Sequence, residues 1–371
     1  VDAQGNVGER NQVRCGSIEH KMGIRGSATA VLNFDEATGH LIFEPNKGLE
    51  AMFTYMNTAR IGIAIQGVAH AEASFQGALA YAKDRRSMRA LSGKKEPEAN
   101  ADSLIWHADV RRMLLTQKAI AEGGRAMIYA AAQTADLMFN ATLENDQASY
   151  DHYDNELGFY TPILKGFLTE MGLEAANIGM QVFGGHGYIH EHGMEQIARD
   201  ARISTLYEGT TGIQALDLVG RKIIRDKGEA VGELLEDMQV SLASLGGLEG
   251  NGVDWAGQKA MVTEAMATIA EVRDWLLTRA HNNVAETHAS AVAVMETFGV
   301  CMGAWAMADA AAAAARRIAG GEADAFLASK LRMCEFYRTQ VFPQAQASKL
   351  SAIGGAGDIL ALTREDLGVV A

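Results

Sequence analysis

The densest set of residues able to do chemistry lies between Gln181 and Gln214, where the chain reads QVFGGHGYIHEHGMEQIARDARISTLYEGTTGIQ. Gly184, Gly185 and Gly187 would let a backbone approach a ligand closely, and nearby helix N-termini could present N–H groups to phosphate or carbonyl oxygens. Spacing alone does not separate this from an ordinary helix cap and turn. His186, His190 and His192 alternate with Glu191 and Glu195, and imidazole with carboxylate is a standard ligand set. Their spacing matches no recognised motif such as HExxH, so a solvated loop with one histidine near a ligand is the preferred reading and no metal is expected. Glu208 stands in Tyr207-Glu208-Gly209-Thr210-Thr211, a break between helical segments. Held against the apolar Leu206 and an aromatic ring, its charged form would be disfavoured, which suits a base for a weakly acidic carbon. A surface or capping acid near a helix start fits the same position.

The elements that must position these residues are mostly helical. Residues 12 to 45 carry short β-like runs, with Ala30-Val31-Leu32-Asn33-Phe34 and Leu41-Ile42-Phe43 flanking a Gly39-containing connection that would suit a hairpin. From Phe53 the texture changes: Ile61, Ile65, Val68, Phe75, Leu79 and Ala82 mark one face of a helix running to about Met88. A polar loop from Ser92 to Asp102 leads to a second long helix through Val110, Met113, Gln117, Ile120, Met127, Ala131 and Met138. A polar connection at 144 to 155 precedes a third helix near Tyr160 to Met171, with Pro162 in its first turn, and a fourth ending at Gly184-Gly185. Helix resumes from Met194 to Ala201 and from Thr211 to Arg225. Four or so further helical patterns follow, one with Leu234, Leu235, Met238 and Leu242, another with Trp275 and Leu276.

Composition narrows the classes. A chain of 371 residues is long enough for two or so domains. A net charge of −13 argues against a nucleic-acid binder. No run of 18 or more apolar residues offers a membrane span. Cys15, Cys301 and Cys334 are too few and too scattered for a disulfide framework or zinc site, which makes a reducing cytoplasm the expected compartment. The start, Val1-Asp2-Ala3-Gln4, reads as neither a natural start nor a signal peptide.

The run from Gln181 to Gln214, with its GGxGY core, RDARI and YEGT, resembles the C-terminal signature of the acyl-CoA dehydrogenase family. Two further segments agree in order. Residues Lys21 to Thr29 (KMGIRGSAT) resemble the family's β-domain segment, and Asn57 to Arg60 followed by Ala82 to Ser87 resembles its first C-terminal helix. The extra helices after residue 226 point to the C-terminally extended subgroup. The resemblance implies a mainly α protein: a remnant of the middle β domain at 1–50, a four-helix C-terminal domain at 51–226 and an appended helical domain at 227–371. It also implies that the family's N-terminal helical domain and the first half of its β domain are missing.

By the same resemblance the cofactor is FAD and the substrate an acyl-CoA. Glu208 occupies the position of the base that takes the α-proton while the β-hydrogen leaves as hydride. The Glu208 backbone N–H and a flavin hydroxyl would receive the developing charge on the thioester oxygen. Arg85, Ser87, Gln181, Gly184, Gly185 and Thr210 match FAD-contacting positions, Arg85 and Ser87 commonly across a subunit interface, which implies a homo-oligomer. Asn57, Arg60, Tyr207 and Gly209 match substrate positions, although Arg60 serves equally as an ion-pair partner and Tyr207 as core packing. Gly212 stands where many members have glutamine, and Arg89 replaces a common glycine. An electron-transfer flavoprotein is the expected electron acceptor. Two rivals remain: an acyl-CoA oxidase, and a non-catalytic helical interaction protein derived from the family.

Overall fold

A computed structural model describes residues 4–322 and 324–368, apart from the side chains at 53, 54 and 57. Two strands, β1 (Val13–Ile18) and β2 (Ala30–Phe34), pair antiparallel with a bulge between Cys15 and Ser17. The expected hairpin between 30–34 and 41–43 does not form. The Asn11 side chain accepts from the Thr38 N–H and donates to its carbonyl. This ties the connection beside β1, so β2 finds its partner upstream and Leu41 to Phe43 have none.

Three helices of 37 residues follow: α1 (Gly48–Asp84), α2 (Ala108–Glu144) and α3 (Gln147–Phe183). The expected third and fourth helices are therefore one. It starts at the Asp146 cap, whose carboxylate accepts from the Ser149 N–H, and it continues through Pro162. A proline inside a helix costs about 3 kcal/mol. Phe159, Ile163, Leu164 and Leu168 are fully buried around it, and four such side chains contribute roughly 6–12 kcal/mol. Packing outweighs the lost hydrogen bond.

Helix α1 also departs from the expected stripe. Its buried positions include Ile63, Ala64, Gly67, Val68, Ala71, Ser74, Ala78 and Ala82, so Val68 and Ala82 fall where expected, whereas Ile65 is exposed. Small residues are required because α1 and α3 touch backbone to backbone. A Cβ on Gly67 would stand 2.2 Å from the Leu168 carbonyl oxygen, and one on Gly172 would stand 2.4 Å from that of Gly67. The buried Ser74 hydroxyl lies 2.9 Å from both Gln117 Oε1 on α2 and the Ala175 carbonyl on α3, donating to one or the other.

Two shorter helices close the bundle: α4 (Met194–Ser204) and α5 (Thr211–Asp217), the latter continuing as a π-helical run, Leu218–Ile224. With two of the expected helices merged, α4 packs on α1 and α3, and α5 packs on α3 and α9. The tail holds more helices than the four or so expected: α6 (Glu229–Ser244), α7 (Trp255–Asn282), α8 (Val284–Ala289), α9 (Ala291–Ala319), α10 (Ala325–Phe336), α11 (Gln344–Gly354), α12 (Ala356–Ala361) and α13 (Arg364–Gly368). Among the described residues α9 alone is long and apolar enough to cross a membrane, but 72% of its apolar window is buried. It is a helix apolar on all sides because it is surrounded. Phe298 packs edge-on against Phe159 of α3, and Gly299 leaves room for the Phe167 ring. One continuous apolar cluster joins α1–α3 to the tail.

Candidate functional site

Between α4 and α5 the chain makes a tight loop, Thr205 to Thr210. Glu208 and Gly209 both adopt left-handed backbone there, with φ of 56° and 90°. Such a conformation costs a non-glycine residue roughly 1–2 kcal/mol and needs outside support. Three helices, α1, α3 and α5, supply it. The buried Lys165 of α3 donates its ammonium to the Gly209 carbonyl, and Gln214 of α5 donates to the Glu208 carbonyl at 3.0 Å. Thr211 donates to Glu170 of α3 at 2.5 Å, and Tyr207 to Gln66 of α1 at 2.5 Å. Thr210 caps α5 by accepting from the Ile213 N–H.

The Glu208 carboxylate is half-buried and has no hydrogen bond or ion pair among the described residues; its N–H is likewise unpaired among them. A tethered backbone thus presents a free carboxylate and a free donor side by side. Below the loop, Arg60 of α1 pairs with Asp217 of α5 at 3.2 Å, both side chains about nine-tenths buried. Arg60 Nε and Gln214 Oε1 are buried without a hydrogen-bond partner among the described residues, whereas Asp217 Oδ1 lies 3.5 Å from the Arg221 guanidinium. Such orphans mark a place built to receive further polar groups. Burial raises the Tyr207 phenol, and Glu208 adds to that shift.

Lys165 has no counterpart among the residues expected from sequence. Its one visible sign is a lone charge in the run Pro162-Ile163-Leu164-Lys165-Gly166-Phe167-Leu168. Burial, and then the Arg60 charge, lower its ammonium from 10.5 to about 8. Between about 8 and 10.5 the unfolded chain therefore holds a proton that the folded chain has released, and stability gains with rising pH across that window. Below it the full desolvation penalty is present. Denaturant titrations should show wild type gaining on Lys165→Met as pH rises from 8 to 10.5; a pH-independent difference would contradict this.

The other expected residues lie elsewhere. Arg85 and Ser87 are exposed just past the end of α1. Gln181, Gly184 and Gly185 are exposed at the end of α3, where a Cβ on either glycine would meet open space. Gly187 differs: its Cβ would strike the Met180 carbonyl, so that glycine serves packing. Tyr81 joins these two helix ends, stacking on Phe183 at 4.0 Å and hydrogen-bonding His186 at 2.8 Å. His190 instead pairs with Glu195, whose carboxylate is held at about 2 by Arg199 and His190. At about 1.5 Å per residue, Arg85 stands roughly 37 Å along α1 from Arg60. One chain therefore does not bring Arg85 and Ser87 to Glu208. Gln181 and Thr211 do share a surface cleft of about 740 Å³, with Arg112, Asn177 and Glu170 on its walls. The Asn57 side chain lies outside the described residues.

The Arg85–Ser87 turn is braced by a closed loop. Asp102, fully buried, accepts from the Ala90, Lys95 and Glu96 N–H groups and pairs with Arg89 at 3.1 Å. Arg89, which departs from the family pattern, thus holds the loop. The Ala90 N–H first, then the other donors, hold the Asp102 carboxyl far below its usual 3.8. Its contribution to stability is present above that value and fades as pH falls below it. Asp102→Asn should lower the unfolding temperature by several degrees at pH 7, with the gap from wild type narrowing under acid. Equal melting at pH 7 would count against the brace.

Residues 46–224 match the family described as acyl-CoA dehydrogenase, C-terminal domain, and residues 233–363 match acetyl-CoA dehydrogenase C-terminal like. The chain is 38% identical over 357 residues to 3-methylmercaptopropionyl-CoA dehydrogenase of Ruegeria pomeroyi, covering 96% of this chain and 59% of that protein. It is 36% identical over 239 residues to the broad-specificity linear acyl-CoA dehydrogenase FadE5 of Mycobacterium tuberculosis, covering 63% of this chain and 39% of that one. In fold it resembles an acyl-CoA dehydrogenase complexed with FAD from Bacillus anthracis, with a TM-score of 0.69, 19% identity, and coverage of 96% of this chain and 59% of the other. The chain spans less than two thirds of the length of each of these relatives.

Proposed function

The chain belongs to the acyl-CoA dehydrogenase family, and from that premise we propose that it serves the FAD-dependent α,β-dehydrogenation of an acyl-CoA thioester to the trans-2-enoyl-CoA. The observation that carries this reading is the Glu208 loop, whose two carbonyls are tied down while its carboxylate and N–H stay free.

Glu208 takes the α-proton as general base, and its N–H donates to the thioester oxygen as charge builds there. Tyr207 and Gly209 flank the thioester, Arg60 lies toward the substrate from α1, and Asn57, on the same helix, is assigned to the substrate from the sequence resemblance. Bound FAD would supply the acceptor for the β-hydride. Thr210, Gln181 and the open backbone of Gly184 and Gly185 fit a dinucleotide, because exposed glycines admit close approach and a polar amide lies beside them. Arg85 and Ser87, joined through Tyr81 to the end of α3 that carries Gly184 and Gly185, would with those glycines reach the FAD of a second copy, since this end lies too far from Glu208 to serve the same site. This makes the working protein a homo-oligomer, with residues 51–226 carrying the site, 227–371 buttressing it, and 1–50 supplying part of a β layer. An electron-transfer flavoprotein would take up the electrons.

The test is an anaerobic absorbance titration of the FAD-reconstituted protein with a panel of acyl-CoA thioesters. Bleaching of the flavin band by one or more of them supports the reading. Bound FAD that no thioester bleaches would overturn it, and peroxide formed on admitting air at the catalytic rate would replace dehydrogenase with oxidase.

A further inference from the structure

Lys165 is an expensive residue in its position. A buried ammonium loses its hydration and is retained only where something offsets that loss. Its direct hydrogen-bond partner is a neutral carbonyl, Gly209 O, and among the described residues no carboxylate lies within ion-pair distance of it. The charges that reach it are Arg60, which opposes it, and Glu170 and Glu208, which favour it. If packing were its whole purpose, an apolar side chain of similar volume would serve equally well or better.

What Lys165 does hold is the peptide that joins Gly209 to Thr210, one residue beyond Glu208. That peptide lies in no regular element, follows two residues of left-handed backbone and receives its second tie from Gln214, at 3.4 Å from the same carbonyl. Gln214 already serves the Glu208 carbonyl at 3.0 Å. Among the described residues Lys165 is thus the one charged donor to the Glu208 and Gly209 carbonyls, and it reaches that of Gly209 from α3. We infer that Lys165 is a positioning residue for the reaction proposed above: it clamps the Gly209 carbonyl so that the Glu208 carboxylate keeps one direction relative to the substrate. The inference rests on that functional reading for its catalytic meaning, while the clamp itself does not.

Lys165→Met tests both parts, in the FAD-reconstituted protein beside wild type. Amide exchange at residues 208–211 should speed up by roughly tenfold or more, as expected on loss of a hydrogen bond to a charged group. The unfolding temperature at pH 7 should be unchanged or higher. With an acyl-CoA that bleaches the wild-type flavin, kcat should fall on the order of 10²-fold, since a base displaced by an ångström costs about that much, and KM should change little. A residue that merely fills space would leave exchange at 208–211 and kcat at wild-type values, because an apolar side chain of similar volume replaces it. Unchanged exchange at 208–211 overturns the clamp, whatever the activity. Faster exchange with unchanged kcat overturns the positioning role. If no thioester bleaches the wild type, the functional reading fails, and with it the catalytic part of the inference, while the exchange result still decides the clamp. Should Lys165→Met not fold, Lys165→Gln, which keeps a shorter uncharged donor, takes its place in the same comparisons.

Discussion

Glu208→Gln should leave FAD binding intact and slow flavin bleaching by acyl-CoA on the order of 10²–10⁴-fold, the range a general base supplies. The amide keeps the side chain's size and leaves the backbone ties from Lys165 and Gln214 in place, so a loss of rate cannot be laid to a collapsed loop. It cannot take up a proton near neutral pH. Stopped-flow absorbance under anaerobic conditions measures the effect directly, and acyl-CoA affinity should stay near wild type. Equal bleaching by the two proteins would remove Glu208 from its assigned role. The search for a base would then turn to Glu170, which accepts from Thr211 nearby.

The largest effect on stability is expected at the α1–α3 contact. Gly172→Ala would set a methyl carbon 2.4 Å from the Gly67 carbonyl oxygen, and Gly67→Ala would set one 2.2 Å from that of Leu168. Backbone cannot swing aside as a side chain can, so each variant must push two helices apart. Overpacking of this kind costs about 1–3 kcal/mol, and with backbone as the obstacle the upper end applies. Once one substitution has separated the helices the second has less to displace, and the double variant should lose less than the sum. Gly62→Ala on the same helix is the control. A Cβ there meets nothing within 4 Å, so helix propensity alone should make that change neutral or slightly stabilising. Denaturant unfolding of the four variants beside wild type decides the matter, and wild-type stability in either packing variant would refute the close contact.

These residues show why parts of the molecule are readable from sequence and parts are not. The long helices announce themselves by periodicity, yet the buried line of α1 consists mostly of Ala, Gly and Ser, which hydropathy ranks low. Ile65 is as apolar as the buried Ile63, yet it is exposed. Pro162 reads as a helix start because local rules favour that position; the burial of its neighbours, a tertiary fact, keeps α3 whole. Strand β2 pairs with a segment before it because Asn11 and Thr38 are bonded across 27 residues, a relation no local pattern contains. At the site, Glu208, Gly209 and Thr210 stand out as a break between helices with distinctive residues. Lys165 shows only as a charge in an apolar run, and its partner is a backbone atom 44 residues away. The wide spacing of Arg85 and Arg60 follows from the length of α1 once the helix is known to be unbroken.

Helix α9 closes the apolar cluster that α3 opens, with Phe298 against Phe159 and Gly299 beneath the Phe167 ring. During biosynthesis the two emerge far apart. At about 5–20 residues per second, the ribosome needs roughly 7–27 s to add the segment that completes α9 after α3 has appeared. Throughout that interval Phe159, Ile163, Leu164 and Phe167 have no finished surface to bury against. The nascent bundle is therefore a natural client for chaperones that shield apolar helices, and any change that delays α9, such as a slow codon cluster between α6 and α8, lengthens its exposure without altering a single contact in the finished protein.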